Sequence, residues 1–261
     1  MDGKCLRGAV RADGSRAFVM TAVRHGDALT AALREIGAKT NEILEFAPLL
    51  DAADDTDLAD AVVTVDALHA QKEHARYLVE DRGAHYLLSV KNNQPTLAGQ
   101  LRALPWKDVP VLDRSRDRGH GREEGPRGEG LQRRRTAVPP RPPGRADPPE
   151  TTPYRNEEMA DRDLYAVTDL SAHQANAAEI AAWARGHWII ENTVHWTKDV
   201  TLAEDASRVR RHRTPAVMSA LRDLARGALH RAGWANIASG RRAHTQPEAI
   251  LALHGIPGLQ S

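Results

Sequence analysis

Short runs of β-branched and aliphatic side chains alternate with polar loops through the first ninety residues, and they predict a sheet. Residues 17–23 (AFVMTAV) and 61–65 (AVVTV) read as strands, the second being the uninterrupted apolar kind that is buried on both faces. Both are expected in one sheet, and residues 85–90 (HYLLSV) predict a further strand. Asn41 is placed to cap a helix over residues 42–50 presenting Ile43, Leu44, Phe46, Leu49 and Leu50, and residues 71–80 read as a helix after the second strand. Residues 28–36 fit a helix through Leu29, Leu33 and Ile36, and fit a strand equally well.

Farther along, residues 164–167 predict a strand, and residues 171–198 a long helix without internal proline, Gly186 being its only glycine. Thr214 is expected to cap a last long helix opened by Pro215, with Val217, Leu221, Leu224 and Ala228 on one face and Gly233 just past its end. Strands come early and helices late. The expected class is α/β or α+β, a mixed sheet covered by helices.

Composition changes this picture in one place. Residues 121–153 hold eight of the fifteen prolines, five glycines and seven arginines, with no aromatic residue. Such a stretch is expected to be disordered. Its Arg/Pro/Gly/Ala vocabulary is also what a GC-rich gene yields out of frame, so a compensated frameshift stands beside a basic linker as its origin. Elsewhere the hydrophobic share of 41% supports a globular chain, and charged residues at 27% nearly cancel to a formal +1. Any basic surface for nucleic acid must therefore be local. The single cysteine, Cys5, excludes an intramolecular disulfide and a thiolate metal cluster. With no run approaching the roughly 20 apolar residues of a bilayer span and no signal-peptide core, a cytoplasmic location is expected and a membrane partner is not.

Candidate chemistry lies in the carboxylates. Hard divalent cations take oxygen ligands, and a two-ion phosphoryl-transfer site needs a few acids converging from different elements. Asp66 closes the AVVTV strand, where an open α/β sheet has its ligand crevice; it would equally start a turn or cap the next helix. Glu191 sits mid-helix with His187 four residues before, His195 four after and Lys198 seven after, so regular α geometry puts all four on one face. That stripe is a site or an ordinary exposed face. His187, Glu191 and His195 could also form a zinc site, which would make the chain a zinc hydrolase. Asp2 has no argument of its own.

The strings DGKCLRG (2–8), TVDALHAQ (64–71), VKNNQ (90–94), LYAVTDLSAHQA (164–175), RGHWIIENTVHWTKDV (185–200), EDASRVR (204–210) and AGWANIA (232–238) together resemble bacterial insertion-sequence transposases of the DDE type, in the branch that includes the H-repeat-associated proteins. The resemblance implies a ribonuclease H-like α/β fold whose mixed sheet is flanked by helices. It implies a catalytic domain in two parts, residues 1–120 and 154–235, around the 121–153 segment and before a tail at 236–261. Asp2, Asp66 and Glu191 then match the three acids that hold two Mg2+ or Mn2+ ions. DNA, as transposon ends and target, is the implied partner, with a homo-oligomer as the active complex. Lys198 is placed for a phosphate contact, and His187, Asn192 and His195 for support of Glu191. Arg208, Arg210, Arg211 and Arg213 form a basic cluster that contacts DNA backbone or is simply solvated, and Lys91 touches DNA or forms a turn. In this family the strand leading into DGK is expected to be central; here only Met1 precedes it, so Asp2 is expected to lack backbone pairing and the site to be weak or inactive. A non-catalytic DNA-binding fragment is the remaining reading.

Overall fold

The computed structural model describes residues 1–37, 42–53, 58–106, 113–117, 132–137, 152–158 and 162–256. The chain forms two compact units, Met1–Thr56 with Trp188–Ser261, and Asp57–His187.

In the first unit, β1 (Asp2–Val10), β2 (Arg16–Val23) and β3 (Thr30–Ile36) form an antiparallel sheet in that order. The ambiguous segment is thus a strand, because β2 offers it a full antiparallel partner from Val23↔Thr30 to Phe18↔Ile36. Asp2 pairs with Thr21, which corrects the expectation that it lacks backbone pairing. The DGK motif lies within β1. Along β1, Lys4 and Leu6 face inward at period two, and a shift of register between Leu6 and Val10 resets the alternation so that Ala9 is buried next. Leu6, Ala9, Ala17, Val19 and Ala216 make one core cluster, and Ala28, Ile190 and Val194 another.

Gly8 is fixed by close approach. A Cβ there would collide with the carbonyl oxygen of Ser207 and lie 2.7 Å from that of Asp205, and backbone cannot swing aside as a side chain can. Gly8→Ala is expected to cost about 1–3 kcal/mol, the scale of core overpacking, read as a fall in Tm.

The second unit contains β4 (Val62–Val65), β5 (His85–Val90), β6 (Asp113–Asp117), β7 (Gln132–Ala137), β8 (Thr152–Glu158) and β9 (Arg162–Thr168), in the sheet order β4-β5-β9-β8-β7-β6. Among the described residues, only β4 and β5 pair in parallel. β2 and β4, expected in one sheet, belong to different ones. Residues 132–137 and 152–153, inside the segment expected to be disordered, are strand residues, and the rest of 121–153 lies outside the described residues. Strand pairing satisfies backbone N–H and C=O groups whatever the side chains, so Arg-rich composition does not forbid it. Leu87, Ala166, Leu170, Ala175, Ile180 and Ala184 form this unit's core cluster.

The helices correct the sequence reading in two ways. The predicted 171–198 helix begins only at α4 (Ala177–Gly186), because Asn176 and Glu179 form a capping box while Ser171 is held in a turn by Gln174. Beyond it the chain winds in wide π turns, Ile190–His195 and Thr197–Thr201. The other helices are α1 (Phe46–Asp51), α2 (Lys72–Arg76), α3 (Pro95–Arg102), α5 (Thr214–Arg231), α6 (Ile237–Ala243) and α7 (Pro247–Leu253). α1 is shorter than the predicted 42–50 helix, and Asn41 lies outside the described residues. α5 turns the opposite way from its apolar pattern: Val217, Leu221 and Leu224 are 51–65% exposed, whereas Ser219, Asp223 and Arg226 are buried. No helix among the described residues is long and apolar enough to cross a membrane.

Candidate active site

Asp66 ends β4 in extended conformation and caps a short 3-10 turn, Ala67–His69, its Oδ1 accepting from the Leu68 N–H at 3.0 Å. The side chain is half-buried. The capping role and a ligand role are compatible, since one carboxylate oxygen serves the turn and the other remains to be aimed. On the same unit His187 lies beside β4, its Nδ1 3.4 Å from the hydroxyl of Thr64, two residues before Asp66. His69, 1% exposed, is the most buried titratable group near this turn. Burial, then the neighbouring His74, pushes its pKa down to about 3 from 6.5. The unfolded chain therefore binds more protons between about pH 3 and 6.5, and stability rises with pH across that window. His69 alone is expected to remove about 2 kcal/mol between pH 7 and pH 5, measurable by urea titration at the two pH values.

Glu191 and Asn192 are exposed on the first π segment. His195, on the same segment, is largely buried with Nδ1 3.4 Å from Asp2 Oδ2, so β1 and this segment bring an acid and an imidazole together. Burial, reinforced by the positive charges of Lys4 and Lys198, lowers the His195 pKa to about 3 and keeps the ring neutral. Lys198 has no exposed surface: its Nζ donates to Ser219 Oγ at 2.7 Å and to Asp223 Oδ2 at 2.8 Å. Glu191 and Lys198 thus do not share the face expected of them. In π turns the hydrogen bonds run from i to i+5, so the i, i+4, i+7 alignment of an α-helix is lost. A phosphate contact by Lys198 would require it to leave Ser219 and Asp223.

Lys198 belongs to a buried network that the sequence did not reveal. Glu204, 3% exposed, ion-pairs with Lys4 and lies 3.7 Å from Lys198 Nζ, and Lys4 also pairs with Asp199. Burial alone would raise the Glu204 pKa, but the ammonium groups of Lys198 and Lys4 outweigh it and hold the carboxyl below its ordinary range. Asp199 goes the other way, its burial prevailing over the Lys4 contact. Lys4 ties the strand that begins with Asp2 to Asp199 on the second π segment and to Glu204 just beyond it. The signal was its place in DGK, two residues after Asp2. Glu42, also missed, is buried with its carboxylate against Gly3, where a Cβ would collide with it.

Arg208, Arg210, Arg211 and Arg213 are all exposed in the stretch leading to α5, and Lys91 is exposed at the end of β5. Among the described residues no three His, Cys, Asp or Glu side chains are grouped to hold a metal ion. Of the proposed zinc triplet, His187 lies on Thr64 in one unit, and His195 lies on Asp2 in the other. Asp2, Asp66 and Glu191 are oxygen donors of the type that hard cations prefer, Asp2 and Glu191 lying in one unit and Asp66 in the other.

Residues 7–222 match the Transposase DDE domain family. The chain is a member of that family. It falls in the insertion-sequence branch that includes the H-repeat-associated proteins. It is 27% identical over 252 residues to "Putative transposase YncI" of Escherichia coli O157:H7, covering 86% of this chain and 60% of that protein. It is also 27% identical over 251 residues to "H repeat-associated putative transposase YhhI" of E. coli K12, covering 86% and 62%. The chain thus spans about three fifths of the length of these curated relatives. Among solved structures, the piggyBac transposase synaptic complex with hairpin DNA matches 99% of this chain and 57% of its own, with TM-score 0.50 and 11% identity. That likeness is one of fold. Within this DDE family match lie Asp66 and Glu191, while Asp2 precedes its first residue.

Proposed function

We propose that the chain is the catalytic part of an insertion-sequence transposase, built on a ribonuclease H-like fold, that cuts DNA at the transposon end and joins the freed 3′-hydroxyl to target DNA. Asp2, Asp66 and Glu191 act as the catalytic acids and would hold two divalent cations, Mg2+ or Mn2+. The observation that carries this reading is the family match across residues 7–222, which includes Asp66 at the end of β4 and Glu191 on the first π segment. When bound, the cations supply charge neutralisation at the attacking and leaving oxygens of an in-line displacement.

The chain's own residues position the reactants. Asp66 is oriented by the Leu68 N–H. Neutral His195, its Nδ1 3.4 Å from Asp2 Oδ2, steadies that acid, a support role shared with His187 and Asn192. Exposed Arg208, Arg210, Arg211, Arg213 and Lys91 neutralise DNA phosphates, each contact adding about 0.9 to the salt-dependence slope. The active complex is a homo-oligomer that holds the transposon ends.

The exposed arginines before α5 support a second reading, a DNA-binding protein without catalysis. Incubation of the chain and its Asp66→Asn and Glu191→Gln variants with supercoiled DNA bearing inverted repeats and Mg2+ or Mn2+ separates the two. Metal-dependent nicking lost in both variants supports the transposase. Salt-sensitive binding without nicking in any form supports the second reading.

A further inference from the structure

The loop that follows β5 does more than turn the chain. β4 and β5 are parallel neighbours, so the loops leaving their carboxyl ends lie side by side within one unit. The loop after β4 is the 3-10 turn capped by Asp66, closed by His69 N–H to Asp66 O at 3.2 Å and Ala70 N–H to Ala67 O at 3.1 Å. Its outward carbonyls are taken by side-chain amides. Asn93 Nδ2 donates to Ala67 O, Gln94 Nε2 donates to Ala70 O at 3.0 Å, and Gln71 Nε2 donates to Leu68 O at 3.1 Å. Gln94 also reaches Gln71 Oε1 at 3.5 Å, so these two carboxamides are joined, and Asn93 acts beside them on the same turn to complete a clamp. The clamp is braced behind: Gln94 O accepts from Ala98 N–H at the start of α3, where Pro95 opens the helix.

We infer that Asn93 and Gln94 are positioning residues for Asp66, holding the turn whose Leu68 N–H aims its carboxylate. This rests on the reading of Asp66 as a cation ligand. One oxygen of Asp66 is fixed by the Leu68 N–H, so the direction of the other follows the turn. A ligand set must be held to about 0.5 Å, and a misplacement of about 1 Å costs on the order of a hundredfold in rate. A short turn with carbonyls facing the adjacent loop has no such rigidity of its own. Asn93 and Gln94 provide it, whereas Asn92 in the same loop accepts from Arg102 and leaves the Asp66 turn untouched.

The test uses near-isosteric changes that remove the amide donor without adding charge, Asn93→Leu and Gln94→Met, with Asn92→Ala as control and Asp66→Asn as reference. Amide hydrogen exchange over residues 66–71 should accelerate at least tenfold in the two clamp variants and stay unchanged in Asn92→Ala, with Tm moving by only a few degrees. Mn2+ affinity, followed by loss of the free-ion EPR signal, should fall about tenfold in the clamp variants and be abolished in Asp66→Asn. Unaltered exchange in both clamp variants overturns the clamp while leaving the reading of Asp66 intact. Accelerated exchange with undiminished Mn2+ binding in Asp66→Asn means that Asp66 is not a ligand, and the positioning role is overturned with that reading. Two clamp variants guard against one of them failing to fold.

Discussion

Glu204→Ala is expected to lower the unfolding free energy by about 3–5 kcal/mol, the cost of leaving buried charge uncompensated. Glu204 is the shared partner of two buried ammonium groups, Lys4 and Lys198, and its removal leaves both under-compensated in a low-dielectric interior. Asp199 and Asp223 soften the loss because each still holds one lysine. Urea unfolding at pH 7 reads the change directly. The acid limb provides a second check. Because the folded carboxyl is held below its ordinary value, its contribution is present above the unfolded pKa and is lost as pH falls through the folded one. The variant should therefore lose less stability than the parent on acidification below about pH 4.5. Equal acid limbs would remove Glu204 as the centre of the network.

Asp66→Asn should abolish strand cleavage, a fall of at least about a hundredfold, the scale of losing one preorganised electrostatic group, while leaving Tm nearly unchanged. Asparagine retains an acceptor oxygen for the Leu68 N–H, so the turn survives while the charge is lost. Glu191→Gln should behave alike, since Glu191 is exposed and a surface change without broken contacts costs within about 0.5 kcal/mol. Cleavage of supercoiled DNA, measured beside thermal unfolding, separates a catalytic loss from a folding one. A variant that keeps its parent's cleavage rate removes that acid from the catalytic set.

Local patterning carried much of the sheet. The strands at 16–23, 62–65 and 85–90 stand where β-branched and aliphatic runs put them, because such runs need a paired, buried surface. Family membership was legible in seven short strings, whose order along the chain survives the Arg- and Pro-rich interval. Pairing was not legible, since β3 is decided by the partner that β2 offers across a loop. Nor was the facing of α5. Val217, Leu221 and Leu224 form a regular apolar stripe, yet Asp223 and Ser219 turn inward because Lys198 is buried there. Periodicity records which side chains could be buried; it does not record which polar partners wait in the core. The Lys198 environment was hidden for the same reason, as its ligands come from residues 21 and 25 positions away.

The π winding after α4 makes spacing unusually consequential. Each wide turn accommodates one residue more in its hydrogen-bonded ring than an α turn does. Removing a single residue between Glu191 and Lys198 would let a wide turn relax into ordinary α geometry with little change downstream, whereas adding one would swing everything beyond it by about 100°. The ammonium now seated on Asp223 would then point elsewhere, with an acid left behind in the interior. For this stretch, length is as binding as chemistry: substitutions can be absorbed singly, whereas an insertion re-aims every later side chain at once.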